Sequence, residues 1–186
     1  MQDAKTCVEN YLRRELDEFV QRGIGLEETA LTLFDKVLIY KYSLDGYEVL
    51  NETLRAGKVH PMAAFLDEAL GKLPDYRGFV YRGTVLTKLL KEDYLHKLTQ
   101  KTVLEEAGFL STSVSRNIAN QFNRNDTLFT IYSFHGKSIE QYSFHGVSNP
   151  FNEKEVIFKT KTRFVLLDIE ETVGTTLITL EEIYHD

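Results

Sequence analysis

At 186 residues, with 42% hydrophobic side chains and only three prolines, the chain has the size of one compact domain and leaves little room for a long disordered segment. A formal net charge of -6 argues against a protein whose main task is to grip a nucleic-acid backbone, yet a local basic pocket for a small polyphosphate remains compatible with it. The single cysteine, Cys7, excludes an internal disulfide; no stretch approaches the roughly twenty apolar residues of a membrane span, and the opening MQDAKTCVEN lacks a signal-peptide profile.

The first third reads as helices. In CVENYLRRELDEFVQRG (7–23), Val8, Tyr11, Leu12, Leu16 and Phe19 recur at helical spacing before the natural stop Gly23. LEETALTLFDKVLIYKY (26–42) carries a second helical pattern, YEVLNETLRAG (47–57) a shorter third, and MAAFLDEALGK (62–72) a fourth that begins at Pro61 and ends near Gly71. At LPDYRGFVYRGT (73–84) the period changes to that of a strand, with two glycines allowing close backbone approach near Arg82. TKLLKEDYLHKLT (87–99) and SRNIANQF (115–122) read as short helices. FLSTS (109–113), TLFTIYSF (127–134), KEVIFK (154–159), RFVLLDIE (163–170) and TLITLEEI (176–183) read as strands. Helices first and strands afterwards predict an α+β fold with antiparallel sheets, mainly helical over 1–73 and mainly β over 76–186.

YSFHG occurs at 132–136 and again at 142–146, a spacing far below that of repeat proteins and expected of two similar strand ends. Its histidines, His135 and His145, have no third ligand at suggestive spacing, so no metal site is expected.

Three other features carry chemistry. Arg82, between Tyr81 and Gly83 on a strand, is expensive to bury unless it meets an anion; its rigid fork suits phosphate, and a salt bridge to an acidic side chain serves equally well. Ser111, Thr112 and Ser113 end an apolar stretch close to a helix start, where capping alone accounts for them. Glu153 and Glu155, in FNEKEVIF (151–158), share one side of a strand by its twofold alternation and fit either a solvated edge or paired-acid chemistry. Each feature alone is explained by an ordinary structural role.

In order, however, YRG, then FLSTS with a following aromatic, then EKEV resembles the arginine-specific mono-ADP-ribosyltransferases of the bacterial toxin and effector branch, whose signature is Arg, Ser-Thr-Ser and Glu-x-Glu. The likeness runs from LDEALGKLPDYRGFVYRGT to EKEVIFKTKTRFVLLDIE, and the helical preface is similar as well. It implies a helical layer followed by two packed, mainly antiparallel sheets, all within one catalytic domain spanning 1–186, with NAD as co-substrate and a protein arginine as acceptor.

The resemblance also implies roles. Arg82 would bind NAD phosphates or the adjoining ribose, and Gly83 the nicotinamide amide through its backbone. Ser111 would orient the catalytic Glu155, while Thr112 and Ser113 shape the pocket. Phe122 would lie against nicotinamide, with Arg124 as a second phosphate contact. Glu153 would orient and deprotonate the incoming guanidinium, and Phe151 would touch the target protein. An NAD contact from the preceding helices is expected among Tyr40, Tyr42, Tyr47 and Asn51. Alternatives are an NAD glycohydrolase on the same scaffold and a catalytically silent interaction module. The likeness further implies a secreted or injected effector with a separate delivery, chaperone or immunity partner.

Overall fold

A computed structural model describes residues 3–23 and 25–184; the outer limits of the expected domain, residues 1 and 186, lie outside the described residues. Helices come first: α1 (Ala4–Tyr11), α2 (Arg13–Arg22), α3 (Leu33–Lys41), a π-helical turn (Tyr42–Gly46), α4 (Tyr47–Arg55) and α5 (Pro61–Gly71). There follow β1 (Asp75–Thr84), α6 (Lys88–Gln100), β2 (Val103–Glu106), β3 (Leu110–Ser113), α7 (Arg116–Asn123), β4 (Thr127–Ser138), β5 (Glu155–Phe158), β6 (Thr162–Thr172) and β7 (Thr175–Glu182). The α+β class holds.

Local chemistry moves several boundaries. The helix expected over 7–23 breaks at Leu12, whose φ of -126° leaves the α region while its side chain enters the core. The segment 26–32 stays outside the second helix, because Thr32 accepts from Asp35 N at 3.2 Å and the Asp35 carboxylate accepts from Thr32 N at 2.8 Å. That reciprocal cap fixes the start of α3 at Leu33. Strand β2 has no counterpart in the sequence reading; its VLEE is held by pairing with β6, from Val103 opposite Val165 to Glu106 opposite Thr162.

The expected two sheets are present but joined. Five strands run β1-β4-β7-β6-β2, with β4 and β7 parallel and the other neighbours antiparallel; β3 and β5 form a short antiparallel pair. Tyr81 opposite Ser113, and Lys137 opposite Ile157, link the pair to the larger sheet in one hydrogen-bonded network of seven strands. One core lies between the sheets, with Val80, Ile131, Val156, Phe158 and Phe164 nearly devoid of exposure. The other gathers the helices around Leu38, Tyr40, Leu66 and Leu70 and takes Ile157 from β5. Strand alternation thus sends Val156 and Phe158 into the inter-sheet core, and Glu155 and Ile157 to the other side, toward the helical layer.

Candidate active site

A cavity of about 600 Å³ opens between α4, the ends of β1, β3 and β5, and α7. Arg82, Ser111, Glu153 and Glu155 all line it, so residues scattered over the sequence meet at one place. Thr112, Ser113, Gly83 and Phe122 also contribute to its wall.

Ladder register explains the meeting of the serines and the glutamate. Ser113 lies opposite Glu155 and Ser111 opposite Ile157, so both serines face the side that Glu155 faces, whereas Thr112 opposes Val156 and donates its hydroxyl to the Val156 carbonyl at 2.6 Å. The Arg82 guanidinium donates to the Ser111 carbonyl at 2.7 Å and so ties β1 to β3. Among the described residues no carboxylate forms a salt bridge with Arg82, which removes the ordinary ion-pair account of it; burial lowers its pKa without abolishing its charge. Its remaining donors are open to the cavity, an arrangement that accepts an anion.

Glu155 is buried and receives little help. Ser111 and Ser143 offer it hydroxyls, the latter at 3.5 Å, and burial pushes its pKa up to about 7, with the neighbouring Glu153 adding to the rise and Arg82 opposing it. Glu153 is not a strand residue. It sits in the turn before β5, where Lys154 adopts φ 48°, so its place beside Glu155 comes from the turn and not from strand alternation. Ser113 holds that turn by donating to the Glu153 carbonyl at 2.6 Å, and Glu153 N donates to the His145 carbonyl at 2.8 Å. Burial raises the Glu153 pKa, and His145 pulls it the other way.

Behind the serines stands a polar chain that the sequence reading left unassigned. Tyr42 shares a hydrogen bond of 3.0 Å with Ser111, Asn51 donates to the Tyr42 hydroxyl at 3.1 Å, and Phe109 N donates to Asn51 at 2.8 Å. Burial pushes the Tyr42 hydroxyl up to about 12, so it remains protonated and available as a donor. Tyr47, half-exposed, lines the cavity itself, while Tyr40 turns away to stack edge-on with Phe19 and Phe144.

The other expected residues fall variously. At Gly83 an added Cβ would lie 1.9 Å from the Ala119 carbonyl oxygen, so the glycine is required for α7 to rest on β1 and thereby to bring Phe122 to the cavity. Arg124 is exposed at the end of α7 and is not part of the cavity wall. Phe151 is 81% exposed on the turn ahead of Glu153. The two copies of YSFHG diverge: His135 is on β4, stacked on Tyr184 and 3.3 Å from Glu182, whereas His145 lies in a loop lining the cavity. Among the described residues no group of three or more His, Cys, Asp or Glu is placed to hold a metal ion. No helix among them is long and apolar enough to cross a membrane. Ser143, Arg55 and His145 are among the cavity and shell residues that sequence reasoning missed; of these three, only Ser143 and His145 fall in a stretch it singled out, the second YSFHG copy.

Comparison with known proteins agrees with this geometry. The family model described as NAD:arginine ADP-ribosyltransferase matches residues 34–186. Vis of Vibrio splendidus, whose solved structure is described as a toxin and an ADP-ribosyltransferase, is 27% identical over 92% of this chain and 74% of its own length. The NAD(+)-protein-arginine ADP-ribosyltransferase Tre1 of Pseudomonas putida is 32% identical over 75% of this chain but 27% of its own, so the chain spans about a quarter of that relative. Among solved structures, the ADP-ribosyltransferase HopU1 of Pseudomonas syringae superposes with a TM-score of 0.78 at 20% identity, over 92% of this chain and 87% of that one, a likeness of fold. With the match covering most of its length, and Arg82, Ser111 and the two glutamates gathered at one cavity, the chain belongs to the NAD:arginine ADP-ribosyltransferase family, of the toxin and effector type.

Proposed function

We propose that residues 1–186 act as one catalytic domain that transfers ADP-ribose from NAD to an arginine side chain of a target protein, releasing nicotinamide. The observation that carries this reading is the convergence, in one cavity, of an arginine that has no carboxylate partner among the described residues and a buried, under-solvated glutamate with a second glutamate beside it. The fit to NAD rests on Arg82: a half-buried guanidinium facing the cavity matches a pyrophosphate, and the cavity has the size that small-molecule sites use.

Ionised Glu155 faces the positive charge that develops on the ribose as its bond to nicotinamide breaks, and hydrogen-bonds the ribose hydroxyl. The leaving group is already cationic, so this step needs no strong general acid. Ser111 holds Glu155 in place and is itself held by Tyr42 and, through its carbonyl, by Arg82. Glu153 orients the acceptor guanidinium and takes its proton; its raised pKa makes it a better base than a solvated carboxylate. Thr112, Ser113 and Gly83 shape the pocket, Phe122 flanks the nicotinamide, Arg124 stands by as an outlying phosphate contact, and exposed Phe151 meets the target protein. Action inside another cell after secretion or injection follows by likeness to the toxin and effector relatives.

Incubation with labelled NAD and a lysate, followed by identification of the modified side chain, tests the reading. Label on arginine is expected. Nicotinamide release that is indifferent to added protein would favour NAD hydrolysis instead, and no NAD binding at all would favour a silent interaction module.

A further inference from the structure

The segment that carries Phe151 and Glu153 to the cavity is held from behind by a residue distant in sequence. Arg22, in the last turn of α2, lays its guanidinium over the Tyr40 ring at 4.9 Å and the Phe144 ring at 5.9 Å. From there it donates to the Ser143 carbonyl at 3.4 Å and to the Ser148 hydroxyl. Ser143 turns its own hydroxyl to Glu155, and Ser148 leads directly into the turn in which Asn149 accepts from Phe151 N at 2.9 Å. The two contacts of Arg22 therefore fall near both ends of the stretch that separates the NAD side of the site from its acceptor side.

We propose that Arg22 is a positioning residue for transfer, a clamp that fixes the 143–148 stretch and with it the places of Phe151 and Glu153 at the mouth of the cavity. The proposal rests on the functional reading above. Three observations support it. The guanidinium is stacked as a plane against two aromatic rings while its Nη2 reaches both acceptors, and the planar stack is what lysine does not reproduce. One of its terminal nitrogens is buried without a hydrogen-bond partner, an uncompensated desolvation that the fold tolerates. Many of the remaining ties are local to the segment, such as Asn149 to the Phe144 carbonyl and Asn152 to the Glu140 carboxylate; from the helical layer, Ser43 accepts from Phe144 N at 2.8 Å, and from the end of β3, Ser113 and Val114 donate to the Glu153 and Lys154 carbonyls, these latter ties all falling outside residues 148–151. Arg22 alone among these carries the anchorage on to Ser148.

The clamp predicts unequal damage. Glu155 keeps Ser111 when the 143–148 stretch loosens; Glu153 keeps its carbonyl tie to Ser113 but its N–H loses a fixed acceptor at His145, and Phe151 loses the anchored turn before it, so transfer falls more than cleavage of NAD. Arg22→Lys and Ser148→Ala, each checked for folding by thermal melt, should be assayed for transfer to a small guanidine acceptor, agmatine, and for nicotinamide release in its absence. Arg22→Lys should lower kcat/KM for transfer about tenfold, and cleavage by less than about threefold, the scale expected when a reacting group is displaced by a fraction of an ångström. Ser148→Ala, which removes one leg of the clamp and leaves the stacking intact, should shift the ratio in the same direction by less. Parallel loss of both activities, or an unchanged ratio in both variants, would overturn the clamp. A wild-type protein that neither transfers to agmatine nor releases nicotinamide would overturn the functional reading, and the clamp with it.

Discussion

Two buried glutamates on different strands, Glu182 on β7 and Glu155 on β5, receive opposite treatment. Glu182, at the end of β7 and 4% exposed, accepts from Phe134 N at 2.6 Å, His135 N at 2.8 Å and the Ser133 hydroxyl at 3.3 Å, and faces the His135 ring. Glu155, 6% exposed, has no backbone donor on its carboxylate among the described residues and makes do with two hydroxyls. The first carboxylate is fully provided with donors and pins β7 to the irregular end of β4. The second is kept short of them. A buried acid with too few partners destabilises the fold but retains the capacity to bind something else, which is what a site for a cationic transition state requires.

Substituting the two residues should separate these roles most widely. Glu155→Gln should reduce transfer and NAD cleavage by about a thousandfold. The same change should stabilise the protein at pH 8 by up to about 3 kcal/mol, because a pKa raised from 4.5 to about 7 means that folding must pay to ionise the group. Glu182→Gln should do the reverse, lowering stability by about 2 kcal/mol because a neutral amide oxygen replaces a charged acceptor of two backbone N–H groups, while leaving the ratio of transfer to cleavage unchanged. Urea titration with paired activity assays checks both; stabilisation by the Glu182 change, or destabilisation by the Glu155 change, would erase the contrast.

Glu153→Gln should come next, with transfer reduced by about a hundredfold and NAD cleavage little changed, as measured by agmatine labelling against nicotinamide release. The pH dependence follows. Since the Glu155 carboxylate must be ionised, kcat/KM should fall on its acid side as pH drops through about 7, tenfold per unit. For stability the sign is opposite to that of a salt-bridged acid: the folded state holds the proton more tightly than the unfolded one, so stability declines as pH rises from 4.5 to about 7 and is flat beyond. The smallest effect belongs to Ser143→Ala, which should move the acid limb upward by less than about one unit, because Ser111 remains.

Much of this site is legible in the sequence, and for identifiable reasons. Arg82, Ser111 and Glu155 all lie on strands, where alternation and register carry a residue to a definite side, so their order in the chain translated into a shared place. Glu153 reached the cavity for a reason other than the strand periodicity that predicted it, since a turn with a left-handed lysine delivers it. Ser143 and Arg22 act through loop geometry and a contact between positions 22 and 148, which no local pattern encodes. Strand β2 was invisible because four residues ending in two glutamates read as loop, and only the neighbouring β6 makes it a strand. The break at Leu12 likewise reflects burial of one side chain overriding a continuous helical period.

The unassigned trio Tyr42, Tyr47 and Asn51 shows the same limit and also its remedy. In an uninterrupted α-helix, advancing about 100° per residue, Tyr42 and Tyr47 would point roughly 140° apart. The π-helical turn closes with Tyr47 N donating to the Tyr42 carbonyl, five residues to the turn, and brings the two rings to 6.5 Å on one side, with Asn51 a further turn along. Gly46 permits the wide turn, since a Cβ there would lie 2.9 Å from the Lys41 carbonyl oxygen. The wall of the cavity therefore depends on a count of residues as much as on their identities. Between Tyr42 and Tyr47 the wide turn absorbs one residue more than an α-helical turn holds: straightening it with every residue kept would swing Tyr47, Asn51 and Arg55 out of the cavity they line, whereas deleting one residue would leave Tyr47 only about 40° from Tyr42 on an ordinary helix, still on the cavity side.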